Sequence, residues 1–188
     1  MNFVSKLSAK ATVAIVASLL SASAFAFPIA IPGTEGLRVL ASGNGTVVAT
    51  YEGNSAGYSN DLFLGSQFIF NNHASPVGSQ VNLGSFSQGS ELVFRLFVNN
   101  TGDSFFTGDA SHNVDNLFHA RVQENWKPGT TLVSFEDLRG TPEGANGYND
   151  LSFSFTNTQV TPVPEPETYG MMLAGLGLLG WAARRKNK

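Results

Sequence analysis

Glu136, Asp137, Asn149 and Asp150 form the one constellation in this chain whose chemistry follows from residue type and spacing. They bracket the stretch from Thr131 to Phe155, in which two apolar, β-type runs are joined by a glycine-rich loop. If the runs pair as a hairpin, Glu136 and Asp137 end the first strand close to Asn149 and Asp150, which open the second. Carboxylate and amide oxygens without imidazole or thiolate suit a hard cation, Ca²⁺ above all. Held close without one, three carboxylates repel each other. The alternative for the same residues is that Asp137 and Asp150 simply cap turn amides, as Asx residues commonly do. Gly57-Tyr58-Ser59-Asn60-Asp61-Leu62-Phe63 echoes Gly147-Tyr148-Asn149-Asp150-Leu151-Ser152-Phe153, which would bring Asp61 to the same end. One short echo does not establish a repeat.

Other chemistries fail on spacing. Asp109, Ser111, Asn113 and Asp115 alternate like the first ligands of an EF-hand, but Val114 stands where glycine is needed and Ala120 where a bidentate Glu is needed. His73, His112 and His119 are not at zinc-ligand spacing. Ser87 misses the G-x-S-x-G elbow by one position. Gly175, Gly177 and Gly180 spell G-x-G-x-x-G inside an apolar run, with no strand before them and no acid after. There is no cysteine, which removes thiolate catalysis and Cys-type metal sites. No nucleophile is legible beside a base, so the expectation is a protein that is not an enzyme. A secreted carbohydrate-active enzyme remains the alternative, because triads and acid pairs are defined by geometry. So does a structural subunit that self-associates through strand edges. Tyr58, Trp126 and Tyr148 could stack on a sugar ring or serve as ordinary packing.

The elements that must hold these residues are strands. β-type runs fall at Leu37–Ala41, Thr46–Tyr51, Leu62–Phe70, Gln80–Leu83, Glu91–Val98, Leu117–Gln123, Thr130–Phe135 and Leu151–Thr156, with Gly, Asn and Pro turns between them. Leu92, Phe94, Leu96 and Val98 share one face, and Leu151, Phe153 and Phe155 oppose Ser152, Ser154 and Thr156. Ser104 to Val114 reads as a surface loop. The expectation is an all-β domain over residues 27–160, a β-sandwich or jelly roll.

Both ends of the chain read as addresses. Residues 1–26 have Lys6 and Lys10, a short apolar run, and Ala24 and Ala26 at a signal-peptidase position, which implies delivery by the Sec translocon and cleavage before Phe27; an uncleaved amphipathic helix is the alternative. Over residues 161–188, Pro164-Glu165-Pro166 precedes the apolar run Tyr169–Ala183 and then Arg184 and Arg185. Fifteen residues of helix cover about 22 Å, marginal for a hydrocarbon core of roughly 30 Å. The basic cluster would stay cytoplasmic. Order and position of these features resemble the PEP-CTERM sorting signal of Gram-negative bacteria that make exopolysaccharide. The resemblance implies an exosortase as partner, a transmembrane helix as transient inner-membrane anchor, and release or transfer to the cell surface or biofilm matrix. A plain C-terminal anchor behind a proline-rich linker is the alternative.

Phe135-Glu136-Asp137, the loop, and Tyr148-Asn149-Asp150 also resemble the close of a domain family of unknown function found in bacterial surface proteins. Such domains often carry aspartates where Gly144-Ala145-Asn146-Gly147 stands here. Between Phe27 and Val163 five basic residues face twelve acids, which disfavours nucleic acid as a partner. The expected function is that of an exported, non-catalytic surface or matrix protein, with Ca²⁺ as a candidate metal and extracellular polysaccharide as a candidate ligand.

Overall fold

The computed structural model describes residues 26–43, 45–140, 147–161, 172–176 and 178–179. Eleven strands are placed in chain order: β1 (Arg38–Ala41), β2 (Gly45–Gly53), β3 (Asn60–Leu64), β4 (Gln67–Asn71), β5 (Gln80–Phe86), β6 (Phe94–Val98), β7 (Ser104–Phe106), β8 (Ala120–Lys127), β9 (Thr130–Phe135), β10 (Leu151–Thr156) and β11 (Thr158–Thr161). A short 3₁₀ turn spans Ala110–His112. Among the described residues the fold is all-β apart from helical residues 172–176 and 178–179, and every strand pair is antiparallel.

Two principal sheets carry the structure. One has the order β5-β2-β10-β9-β8 and the other β4-β3-β6-β7, while β1 and β11 pair separately. Their inward side chains form one cluster, because alternation puts every second residue of each strand on the same face. Aromatic rings carry the contact between the sheets. Phe94 of β6 stacks on Phe155 of β10 at 4.1 Å, and Phe70 of β4 on Phe153 of β10 at 5.9 Å. Leu92, Phe94, Leu96 and Val98 are all buried, as their alternation requires.

Three expectations are corrected. The run Leu62–Phe70 is two strands, because Gly65 takes a positive φ of 58° and turns the chain so that Leu64 pairs with Gln67. The strand expected at Leu117–Gln123 starts at Ala120 and continues to Lys127. The expected loop from Ser104 contains β7, whose Phe105 is fully buried. The short strand β11 has no counterpart among the β-type runs of the sequence.

The serines of β10 do not face solvent. Ser134 and Ser152 are fully buried and hydrogen-bonded to each other at 2.8 Å. The segment before β1 covers them: Ala30 N–H donates to Ser134 Oγ, Val122 N–H donates to Thr34 C=O, and Glu35 pairs with Arg121. Phe27 lies against Gly53, where a Cβ would sit 2.5 Å from the Phe27 Cβ. This strap spans the outer face of the five-stranded sheet.

Candidate metal centre

The end of β9 and the start of β10 are neighbours in one hairpin, since Phe135 pairs with Leu151. The residues just beyond that pair are Glu136, Asp137 and Asp150. All three are buried, and each offers one carboxylate oxygen within 4.8 Å of the others. Local hydrogen bonds hold this corner together. Asp137 N–H donates to Asp150 Oδ2 at 2.8 Å, Leu138 N–H donates to Glu136 Oε1 at 3.1 Å, and Glu136 N–H donates to His119 C=O.

A fourth buried residue comes from the other sheet. Asn60, at the start of β3, donates Nδ2–H to Asp137 Oδ2 at 2.7 Å. Its Oδ1 is buried and accepts no hydrogen bond among the described residues. Above these groups lies a cleft of about 420 Å³, walled by Ser55, Gly57, Tyr58, Leu138 and Asn149. Ser55 N–H donates to Asn149 C=O at 2.8 Å, tying the β2–β3 connection to the hairpin.

Asp150 feels this crowding most. Burial, opposed by the hydrogen bond from Asp137 N–H and reinforced by the carboxylates of Asp137 and Glu136, pushes it up to about 8. Beside it Tyr148 is buried, with the Arg121 guanidinium 4.3 Å from its ring centroid and its hydroxyl donating to Phe118 C=O. Burial and the nearby Glu35 carboxylate push the phenol up to about 12, so it stays a donor. Tyr148 is therefore a packing residue. Of the three aromatics singled out in the sequence, Tyr58 lines the cleft, and Trp126 lies on β8 with Lys127 Nζ 3.9 Å from its ring.

The expected quartet is thus brought to one place: Glu136, Asp137 and Asp150 at the floor and Asn149 in the wall. Asp61 is not among them. It accepts from Asn71 Nδ2 on the neighbouring strand, and Asn60 occupies the position beside Asp137. The echoed segment was the one sequence signal for that contact, and it pointed one residue too far along.

The second acidic stretch does different work. Asp109 Oδ1 accepts from Ser111 N–H, and Asn113 bridges Phe106 N–H and Leu117 C=O. Asp115 accepts from Leu117 N–H, Gly140 N–H and His119. Although burial raises the Asp115 carboxyl, those donors together hold it below the usual range. His119 is fully buried and stacks on Phe105 with centroids 3.9 Å apart. Asp115 and His119 consequently clasp the loop that follows Asp137 to the β7–β8 connection, and Arg139 adds an ion pair to Asp103. His112 and His73 lie against the backbone carbonyls of Thr107 and Ala56.

Chemically, the floor is a set of hard oxygen donors with no imidazole or thiolate among them. That set fits Ca²⁺, and the orphaned Asn60 oxygen is a further donor of the same kind.

Ala24, Pro164, Glu165, Pro166, Arg184 and Arg185 lie outside the described residues, and Ala26 is exposed. Among the described residues no helix is long and apolar enough to cross a membrane. No curated protein and no solved structure matches the chain. Residues 162–186 match the model of the PEP-CTERM protein-sorting motif. That motif implies export, processing by an exosortase, and delivery to the cell surface. The chain thus carries, at its tail, a PEP-CTERM sorting motif.

Proposed function

We propose that this protein is a non-catalytic surface or matrix module that binds Ca²⁺ between β9 and β10 and, through that end, engages extracellular polysaccharide. The observation that carries the reading is the convergence of three buried carboxylates within 4.8 Å at the floor of one cleft. Buried like charges of this kind are costly unless protonated or bridged by a cation. Export supplies the setting, since extracellular calcium is abundant relative to the affinity that such modules need. Residues 1–26 act as a signal peptide read by the Sec translocon and cut by signal peptidase. Residues 27–160 form the mature β-sandwich, and the apolar tail serves as a transient membrane anchor until the exosortase acts.

The test is the thermal midpoint of the purified full chain with millimolar Ca²⁺ and with chelator, repeated on Asp137→Asn and Asp150→Asn. A native-state ligand raises apparent stability by mass action, about 2.7 kcal/mol at a hundredfold excess over Kd. The expected result is a calcium-dependent rise in the parent and its loss in both variants. An identical midpoint in calcium and in chelator would remove the metal.

A further inference from the structure

Calcium takes six to eight oxygen ligands, and Glu136, Asp137 and Asp150 supply one ligand atom each. Asn60 brings a fourth oxygen close. Its amide carbon also carries the Nδ2 that lies 2.7 Å from Asp137 Oδ2, so half a turn of the amide exchanges Nδ2 for Oδ1 at that position. Turned that way, the Oδ1 that accepts no hydrogen bond among the described residues becomes a ligand, and Nδ2 takes its former place. These donors lie on the buried side. The remaining coordination positions face the cleft, where Ser55, Gly57, Tyr58 and Asn149 stand back far enough to leave about 420 Å³ open.

Charge selects what fills those positions. Three carboxylates around a dication leave the occupied site with a net negative charge, which repels a carboxylate or phosphate ligand and favours neutral oxygens. Two adjacent hydroxyls on a sugar ring are a neutral bidentate oxygen donor. Tyr58, half-buried in the wall with its ring packed against the core, offers an apolar surface to the C–H face of the same ring. We infer that the cleft is a calcium-bridged saccharide site, in which the ion itself takes a pair of vicinal hydroxyls from a neutral sugar and Tyr58 is the wall against which the ring lies. This rests on the calcium reading given above.

Calorimetry on the purified full chain separates the two. The first titration is CaCl₂ alone. The second, in saturating calcium, uses the methyl glycosides of mannose, galactose and fucose, with sodium glucuronate as the anionic counterpart, and each titration is repeated in chelator. The expected result is millimolar binding of at least one neutral glycoside that vanishes in chelator. Tyr58→Ala should weaken that binding by about threefold to tenfold, and Tyr58→Phe, which keeps the ring, should retain it. Calcium binding with no glycoside response would overturn the saccharide inference and leave the metal standing. Glycoside binding that persists in chelator would overturn the bridging role of the ion. Preference for glucuronate would overturn the neutral-ligand argument, and absence of calcium binding would remove both readings together.

Discussion

Asp150 keeps a proton that an ordinary aspartate loses, and the sign of the consequence follows from linkage. Its carboxyl is pushed up to about 8 in the folded chain, against 3.8 for an ordinary aspartate. The folded state therefore binds more protons than the unfolded state between those values. Its contribution to stability is intact below the lower value and is lost as pH rises through the upper one. In chelator the thermal midpoint should accordingly fall as pH rises from 5 to about 8, more steeply than in Asp150→Asn, whose side-chain oxygen still accepts from Asp137 N–H. Calcium should flatten the slope, and a pH series of melting curves reads all three. Asn60 supports a second prediction. Asn60→Leu leaves Asp137 Oδ2 without its side-chain donor, so stability in chelator should drop by about 1–3 kcal/mol, measured by denaturant unfolding. The acids were legible in the sequence because one hairpin joins them. Asn60 was not, because it lies 77 residues from Asp137 and meets it only when the two sheets close on each other.

At the level of elements, local pattern located most strands and misjudged what lay against them. The apolar run from Leu62 to Phe70 contains its turn at Gly65, a residue that strand periodicity alone passes over. The alternating serines of β10 predict a solvent face by parity. The strap from Phe27 to Glu35 reverses that outcome, and its contact with Ser134 spans 104 residues of sequence, beyond the reach of any local pattern. Gly53 marks the cost of the arrangement: it has φ 136°, and Phe27 occupies the space that a side chain there would need. Gly53→Ala should therefore destabilise by about 1–3 kcal/mol, read as a lowered thermal midpoint. The core beneath is aromatic and closely packed. Phe153 touches Tyr51, Phe70 and Phe155, so Phe153→Ala should cost about 3–5 kcal/mol by chemical denaturation.

For the whole molecule, the tail was the most legible part, because a sorting signal is read as local sequence. The three-dimensional arrangement was the least legible, since the pairing of β2 with β10 and of β3 with β6 depends on contacts distant along the chain. β11 ends at Thr161 and the sorting motif is matched from residue 162, so cleavage within the motif leaves every described strand intact. Replacing Pro164, Glu165 and Pro166 by alanine should leave an uncut, slower-migrating form in the membrane fraction, with the thermal midpoint of the β domain unchanged. Immunoblots of fractionated cells and melting curves check the two halves.

The position of β10 governs how the molecule bears force. The cleft ends at Asp150, the residue before β10, and the tail departs after β11, which follows β10 almost directly. A pull between something held in the cleft and a tether at the C-terminus enters β10 at one end and leaves at the other, across about 20 Å of strand. β10 is paired on both sides, to β2 and to β9. Antiparallel hydrogen bonds lie perpendicular to their strands, so such a load shears both rows at once instead of opening them singly. The four residues of β11, whose strand pairing is to β1 alone, stretch first, and the sheet that carries the cleft yields last.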